Sequence, residues 1–356
     1  MLMASPKFPK IQLSFHGELK RRIAEYFKQK GKSQTGNFKL FFKAILLVSS
    51  LCTVYIHLVF FTPTVLWQVF ESILLGGLVA AIGFNVMHDG AHGSFSKYKW
   101  VNRLAAFSLN ILGGNSFMWN MKHNVIHHAY TNIDGVDDDI DIQPWLRMSS
   151  TQKKYRLHKY QHLYFWILYS MFYIFWVFIL DYQKYLKGRI GNTPVKKMKL
   201  SDHFIFWSFK LAHLFLFVGL PVYMVGFESW IISFLIFTLV AGFVLSLVFQ
   251  LAHTVEHTSF PVADLETGKM EDEWAVHQIK TTANFATKNK LVTWLVGGLN
   301  FQIEHHLFPK ISHVHYPALH DIIKKICEER GLQYIEFKNL RFAIASHVAF
   351  LRQMGK

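Results

Sequence analysis

Apolar residues gather along this chain in long uninterrupted runs, not in the short periodic stretches of a water-soluble domain. A helix needs about 20 apolar residues to cross a bilayer. Four runs meet that length: 40–61, 65–87, 204–225 and 230–252. The connectors Thr62-Pro63-Thr64 and Gly226–Ser229 are short enough to turn these runs into two hairpins. A fifth run, 163–180, is shorter and rich in Tyr and Trp, residues that settle at membrane interfaces. A sixth, 104–118, is interrupted by Asn110, Gly113, Gly114 and Asn115. The pattern predicts an all-α integral membrane protein with four transmembrane helices. It divides the chain into a basic N-terminal segment (1–39), a main domain (40–317) and a tail of amphipathic helix and loop (318–356).

Charge sets the sidedness. No Lys or Arg falls between Lys43 and Lys97, or between Lys210 and Lys269, while the segments outside the hairpins are rich in Lys. The positive-inside rule then places both termini and the middle section in the cytoplasm. Composition agrees: only 17% of residues are charged and 51% are hydrophobic, against about 25% charged in soluble domains. The net charge of +15 is assigned to segments that flank spans and meet anionic lipid, and nucleic acid is excluded as a partner. Cys52 and Cys327 make neither a disulfide framework nor a zinc pattern. The first apolar run begins too late for a secretory signal.

Against this background the histidines are crowded. "HDGAH" holds His88 and His92, and "HNVIHH" holds His123, His127 and His128. "FQIEHH" holds Gln302, His305 and His306, and "QLAHTVEH" at the end of the last run holds His253 and His257. A four-residue interval puts two imidazoles on one helix face. One such pair alone is more often not a metal site. Three clusters placed on one side by an independent charge argument point to shared metal binding. Seven clustered histidines, with one more from the last span, exceed the four ligands of a single zinc. Two ions are therefore expected, with iron and zinc as candidates. For the clusters to share a side, an even number of spans must separate the second from the third. Three runs lie between them, so 163–180 is expected to lie along the interface as an amphipathic helix.

These three boxes resemble those of the membrane fatty acid desaturase family. Gln302 at the head of the third, with "EWAVHQIKTTANFA" and "LNFQIEHHLFP" around it, resembles the front-end branch, which inserts a double bond between an existing one and the carboxyl end. The resemblance runs from the first span to the third box. It implies a non-haem di-iron centre under a cytoplasmic helical cap, with His88, His92, His123, His127, His128, His305 and His306 as ligands. The family takes one more histidine from the end of the last span; His253 is chosen over His257. Gln302 stands where many members have His, and is expected to bind, act through water or orient a neighbour. The resemblance further implies O2 as co-substrate, a fatty acyl substrate carried on CoA or on a lipid, and a cis double bond as product. Breaking an unactivated C–H bond requires an oxidant made at a redox metal, which zinc cannot supply. Front-end members often carry a fused cytochrome b5 domain. The N-terminal segment is too short for one, so a separate donor such as ferredoxin or cytochrome b5 is expected.

A hydroxylase on the same frame is the runner-up, and a zinc-containing membrane receptor or hydrolase a remote third. Transport is disfavoured because the spans lack ionisable residues at mid-depth apart from His57, Glu71 and His213. The acidic run of Asp134, Asp137, Asp138, Asp139 and Asp141 reads first as a solvated loop. The other reading makes these carboxylates hold imidazole N–H groups, and Asp89 and Glu304 are candidates for the same task. Asn132, Trp119, Gln278 and Asn284 are candidates for lining the site or orienting its ligands. The basic lead up to Lys39 is expected to contact lipid.

Overall fold

The computed structural model describes residues 6–11, 14–61, 63–264 and 266–356. Thr62 of the first connector, and residues 1–5, 12 and 13 of the basic lead, lie outside the described residues. Helices dominate. α1 is Phe15–Lys30, α2 Phe38–Phe60, α3 Val65–His92 and α4 Lys99–Ile111. Residues 116–130 form α5. α6 is Arg156–Lys187, α7 Leu200–Val225 and α8 Phe227–His253. α9 (Trp274–Thr281), α10 (Lys290–Leu295), α11 (Gln302–Leu307), α12 (Tyr316–Glu329) and α13 (Leu340–Gly355) follow. Among the described residues, strand pairing is limited to Arg189–Ile190 with Thr193–Pro194, Asn284–Phe285 with Glu336–Phe337, and one bridge between Lys7 and Lys269.

Among the described residues, five helices (α2, α3, α6, α7 and α8) are long and apolar enough to cross a membrane, one more than the run lengths predict. The extra one is α6. Its apolar middle is the expected 163–180. A tight first turn at Arg156–Tyr160 and a polar last stretch, Asp181–Lys187, extend it to 32 residues. Phe38, Phe42, Leu66, Leu211 and Phe215 are exposed on these long helices, a surface suited to lipid rather than water.

Inside the bundle, α8 packs against α3 and α6 at close range. A Cβ at Gly76 would lie 2.5 Å from the Phe237 carbonyl oxygen, and one at Gly242 would collide with the Ser170 carbonyl. Small residues of this kind let apolar helices approach backbone to backbone. Charged groups within the bundle are paired, as an apolar medium demands. Lys210 is 3% exposed and spends all three ammonium protons. They go to the Gly113 carbonyl (2.6 Å), the Val177 carbonyl (2.9 Å) and Asp181 (2.9 Å). His57 and Glu71 pair at 2.8 Å between α2 and α3.

The non-membrane part forms around a second core. Phe15, Leu19, Ile23 and Phe27 of α1 pack with Ile279, Ile303, Ile323 and Ile326. Ser14 caps the start of α1, accepting from the Gly17 amide at 3.0 Å. The basic lead is thus in part a docked helix. It turns Lys20, Arg21, Lys28 and Lys30 outward and commits its apolar face to protein instead of lipid. The tail docks as well: Phe350 and Leu351 of α13 are buried with Phe165 and Tyr169 of α6.

Candidate metal centre

Local helix geometry explains why these histidines meet. α3 widens into a π-helical turn at Gly83–Met87 just before His88, and α5 does the same across Met121–His127. Such turns are rare and recur at functional sites. α11 carries Gln302, His305 and His306, and the last turn of α8 carries His253. Of the nine predicted residues, His92 is half-buried and the other eight are at most 6% exposed.

The rings form two lobes. One nitrogen from each of His88, His92, His123 and His305 lies within 4.8 Å of the others, and the same holds for His127, His253 and His306. His128 forms a third such set with His305 and His306, and so joins the lobes. Four of the rings make hydrogen bonds that point outward, while His88 and His128 meet His123 Nε2 to Nε2 at 3.3 and 3.2 Å. His127 donates from Nδ1 to Asp137 (3.0 and 3.2 Å), His253 to the Thr281 carbonyl (3.2 Å) and His306 to Gln278 Oε1 (2.8 Å). His305 donates from Nδ1 to the Tyr316 hydroxyl (3.1 Å). The Nε2 of each of these four rings, and of His92, is buried without a hydrogen-bond partner. Burying a polar atom unpaired is costly. Donating through one nitrogen leaves a lone pair on the other, aimed inward. This is how proteins orient histidine ligands, and the all-nitrogen set fits transition-metal ions.

Protonation states agree. Burial, then neighbouring imidazoles, hold His123, His128, His305 and His306 well below the ordinary histidine value, which keeps them in the neutral form that ligates. His127 runs the other way. Burial lowers it, but Asp137 and Asp139 outweigh burial and raise it.

His253 is the one of the pair with His257 brought into the cluster; His257, set aside on sequence grounds, is exposed and belongs to none of these sets. Two expectations need correction. The acidic run is only in part a solvated loop: Asp141 is exposed, but Asp137, Asp138 and Asp139 turn inward. Asp137 is 1% exposed and also accepts from the Asn132 amide at 2.9 Å. Asp139 lies 3.2 Å from His127 and 2.7 Å from Lys122, and Asp138 pairs with Lys184 at 2.9 Å. Lys122, immediately ahead of the second box, is the charge that draws these carboxylates in. Asp89 and Glu304 do not hold the clustered rings. Asp89 accepts from Ser312 (2.7 Å) and pairs with His313 (3.0 Å); Glu304 accepts from Asn284 (2.8 Å) and Tyr334 (2.5 Å). Neighbours in a helix face different directions, so a carboxylate next to a clustered histidine in sequence points away from it.

Of the other candidates, Trp119 stacks on His123 at 4.4 Å, and Asn132 donates to the His253 carbonyl at 2.9 Å. Gln278 holds His306. Gln302 is buried with its amide nitrogen unpaired. A cavity of about 790 Å³ opens beside the cluster, with His123, His127 and His253 in its wall and Trp119, Phe172, Trp176 and Phe249 around them. Its volume lies within the usual range for ligand clefts.

The fatty acid desaturase family model matches residues 61–338. The chain belongs to the fatty acid desaturase family. An sn-1 linoleoyl-lipid 6-desaturase of Arthrospira platensis is 35% identical over 347 residues, covering 96% of this chain and 93% of its own. The enzyme of the same description from Synechocystis sp. is 36% identical over 349 residues, covering 96% of each. An acyl-lipid (8-3)-desaturase of Physcomitrium patens is 33% identical over 345 residues, covering 96% of this chain and 72% of its own. The desaturase is an oxidoreductase of lipid metabolism, with several apolar helices and a histidine cluster able to hold metal.

Proposed function

We propose that this desaturase is a front-end acyl-lipid enzyme. It inserts a cis double bond into an acyl chain, using O2 and two non-haem irons held by His88, His92, His123, His127, His128, His253, His305 and His306. The observation that carries this reading is the set of five buried Nε2 atoms without partners, four of them on rings anchored through Nδ1, beside an apolar cavity. Gln302, buried and one turn ahead of His305 and His306, would contact an ion through its amide oxygen. The front-end assignment draws on the relatives that desaturate at position 6 or are named (8-3).

When bound, the irons supply the oxidising power, drawn from O2 and two electrons, that an unactivated C–H bond requires. The chain's own residues do the rest. Asp137, Thr281, Gln278 and Tyr316 fix ring orientation. Lys122 and Lys184 compensate Asp138 and Asp139, so carboxylates sit beside the centre without excess negative charge. Trp119, Trp176 and Phe249 keep water from the acyl chain.

Four of the five long helices cross the membrane in this reading, and α6 does not. His128 and His253 belong to one cluster, yet three long apolar helices, α6, α7 and α8, occupy the chain between them. Three crossings would put the two histidines on opposite sides. The distribution of Lys and Arg favours a cytoplasmic site and cytoplasmic termini, where a one-electron carrier such as a ferredoxin or cytochrome b5 can reach it. Expression in a host fed defined polyunsaturated acids, with double bonds located by mass spectrometry, tests the chemistry. A new double bond on the carboxyl side of an existing one is expected. A hydroxylated product, or no oxygen-dependent product, would overturn the reading.

A further inference from the structure

The cavity beside the histidines follows one stripe of α6. Leu168, Phe172, Trp176, Leu180, Lys184 and Lys187 line it at intervals of three or four residues, which is one helix face. At 1.5 Å per residue the stripe is roughly 28 Å long. Its chemistry changes along the way. From Leu168 to Leu180 the α6 face of the cavity is apolar. At the other end stand Lys187 and Arg189, both exposed, and neither forms an ion pair among the described residues. The charges nearer the centre are already matched: Lys122 and Lys184 with Asp138 and Asp139, and Asp181 with Lys210. Asp141 also lines the cavity, but at the Leu168 end, between Ile140 and Ile142, which pack with Tyr164 and Leu168.

The histidines lie alongside this stripe, between its two ends. Toward Lys184, His127 lies 3.2 Å from Asp139, Lys122 bridges Asp139 and Asp138, and Asp138 meets Lys184. Toward Leu168, Ile140 packs beside Leu168, and Thr254, next to His253, is joined through His347 to Tyr169 (3.1 and 2.9 Å).

We propose that Lys187 and Arg189 form a subsite for the phosphate-bearing head of the acyl substrate. α6 is the rail along which the chain lies, its methyl end toward Leu168. The proposal rests on the desaturase reading above and adds a substrate class and an orientation to it. Lys and Arg bind phosphate through charge-assisted hydrogen bonds. The same geometry gives α6 a reason to be apolar over a membrane's thickness without crossing one.

Trp119, Trp145 and Trp176 line the cavity, so acyl chains carrying bromine quench their fluorescence and report binding without turnover. The full chain in detergent is titrated with three brominated probes: phosphatidylglycerol, an acyl-CoA and an uncharged galactosyl diacylglycerol. Reversal of both charges (Lys187→Glu with Arg189→Glu) is expected to raise the Kd of the phosphate probes at least tenfold and that of the galactolipid less than twofold. The exposed pair Lys196→Glu with Lys197→Glu makes the same change in net charge and is expected to do neither. Whichever phosphate probe binds the unaltered protein more tightly identifies the source of the head. Equal affinity for charged and uncharged probes, or equal losses in the two double variants, would overturn the subsite. Selective binding by a protein that desaturates nothing would sink the enzyme reading alone. Desaturation without charge selectivity would sink the subsite alone.

Discussion

His127, His253 and His306 hand their outer nitrogens to a carboxylate, a backbone carbonyl and an amide oxygen. In the other lobe, among the described residues, only His305 has such a partner, the Tyr316 hydroxyl. His88, His92 and His123 are held by shape instead. His88 and His92 pack ring against ring at 4.6 Å, and His123 lies against Trp119. One lobe is fixed by directed bonds with a negative charge behind it, the other by close packing. A carboxylate behind an imidazole makes it a stronger donor. Packing fixes direction without adding basicity. The lobe of His127 is therefore expected to hold its ion more tightly, and the lobe of His88 and His92, the latter half-buried, to lose its ion first during chelation.

The largest break in this comparison is His127→Ala. It deletes a donor from the stronger lobe and leaves Asp137 buried without its ring. On the proposed two-iron reading, product is expected to vanish and bound iron to drop from about two per chain toward one, while the protein still inserts. Metal analysis beside product analysis checks this, and full activity would refute the ligand role of His127. Asp137→Asn is the next step down. It keeps shape and removes charge, and outer partners of this kind are worth about 10–100-fold in metal affinity or activity. Tyr316→Phe is the matching change in the packed lobe. It removes one neutral hydrogen bond, worth near 1 kcal/mol or about fivefold. If the two substitutions cost the same, the lobes are backed equally and the distinction fails.

How these parts could be read from sequence follows the same division. The long helices and the clustered histidines were legible because each leaves a one-dimensional signal: run length for α2, α3, α7 and α8, and four-residue spacing for His88 with His92 and His123 with His127. The partners that orient the rings leave none. Tyr316 reaches His305 from the start of α12, and Thr281 offers His253 only a backbone carbonyl. The acidic run was visible, but its burial depends on Lys122 and Lys184 approaching from two other helices. α6 shows the limit of run length. Its apolar stretch looked short because Asp181–Lys187 are polar, yet they continue one helix. That polarity reflects the Asp181–Lys210 pair and the cavity, features of the packed molecule that no local pattern encodes.

The smallest expected effect concerns acid, and it separates His127 from its neighbours. His123, His128, His305 and His306 have folded values well below that of a free histidine, about 6.5. As pH falls past that point the unfolded chain takes up protons that the folded rings refuse, so stability is lost. His127 has the opposite sign. Its raised value contributes stability below pH 6.5, which is lost as pH rises through the folded value. Four rings against one predict that the chelated, metal-free protein melts a few degrees lower at pH 5.5 than at pH 7.5. In Asp137→Asn, His127 loses its main support and joins the other four, so the drop should steepen. Thermal unfolding in detergent at the two pH values measures both slopes. A flat profile in the unaltered protein would mean the rings are not buried in neutral form. Equal slopes with and without Asp137 would mean that its carboxylate does not set the charge of His127, and the asymmetry between the lobes would lose its physical basis.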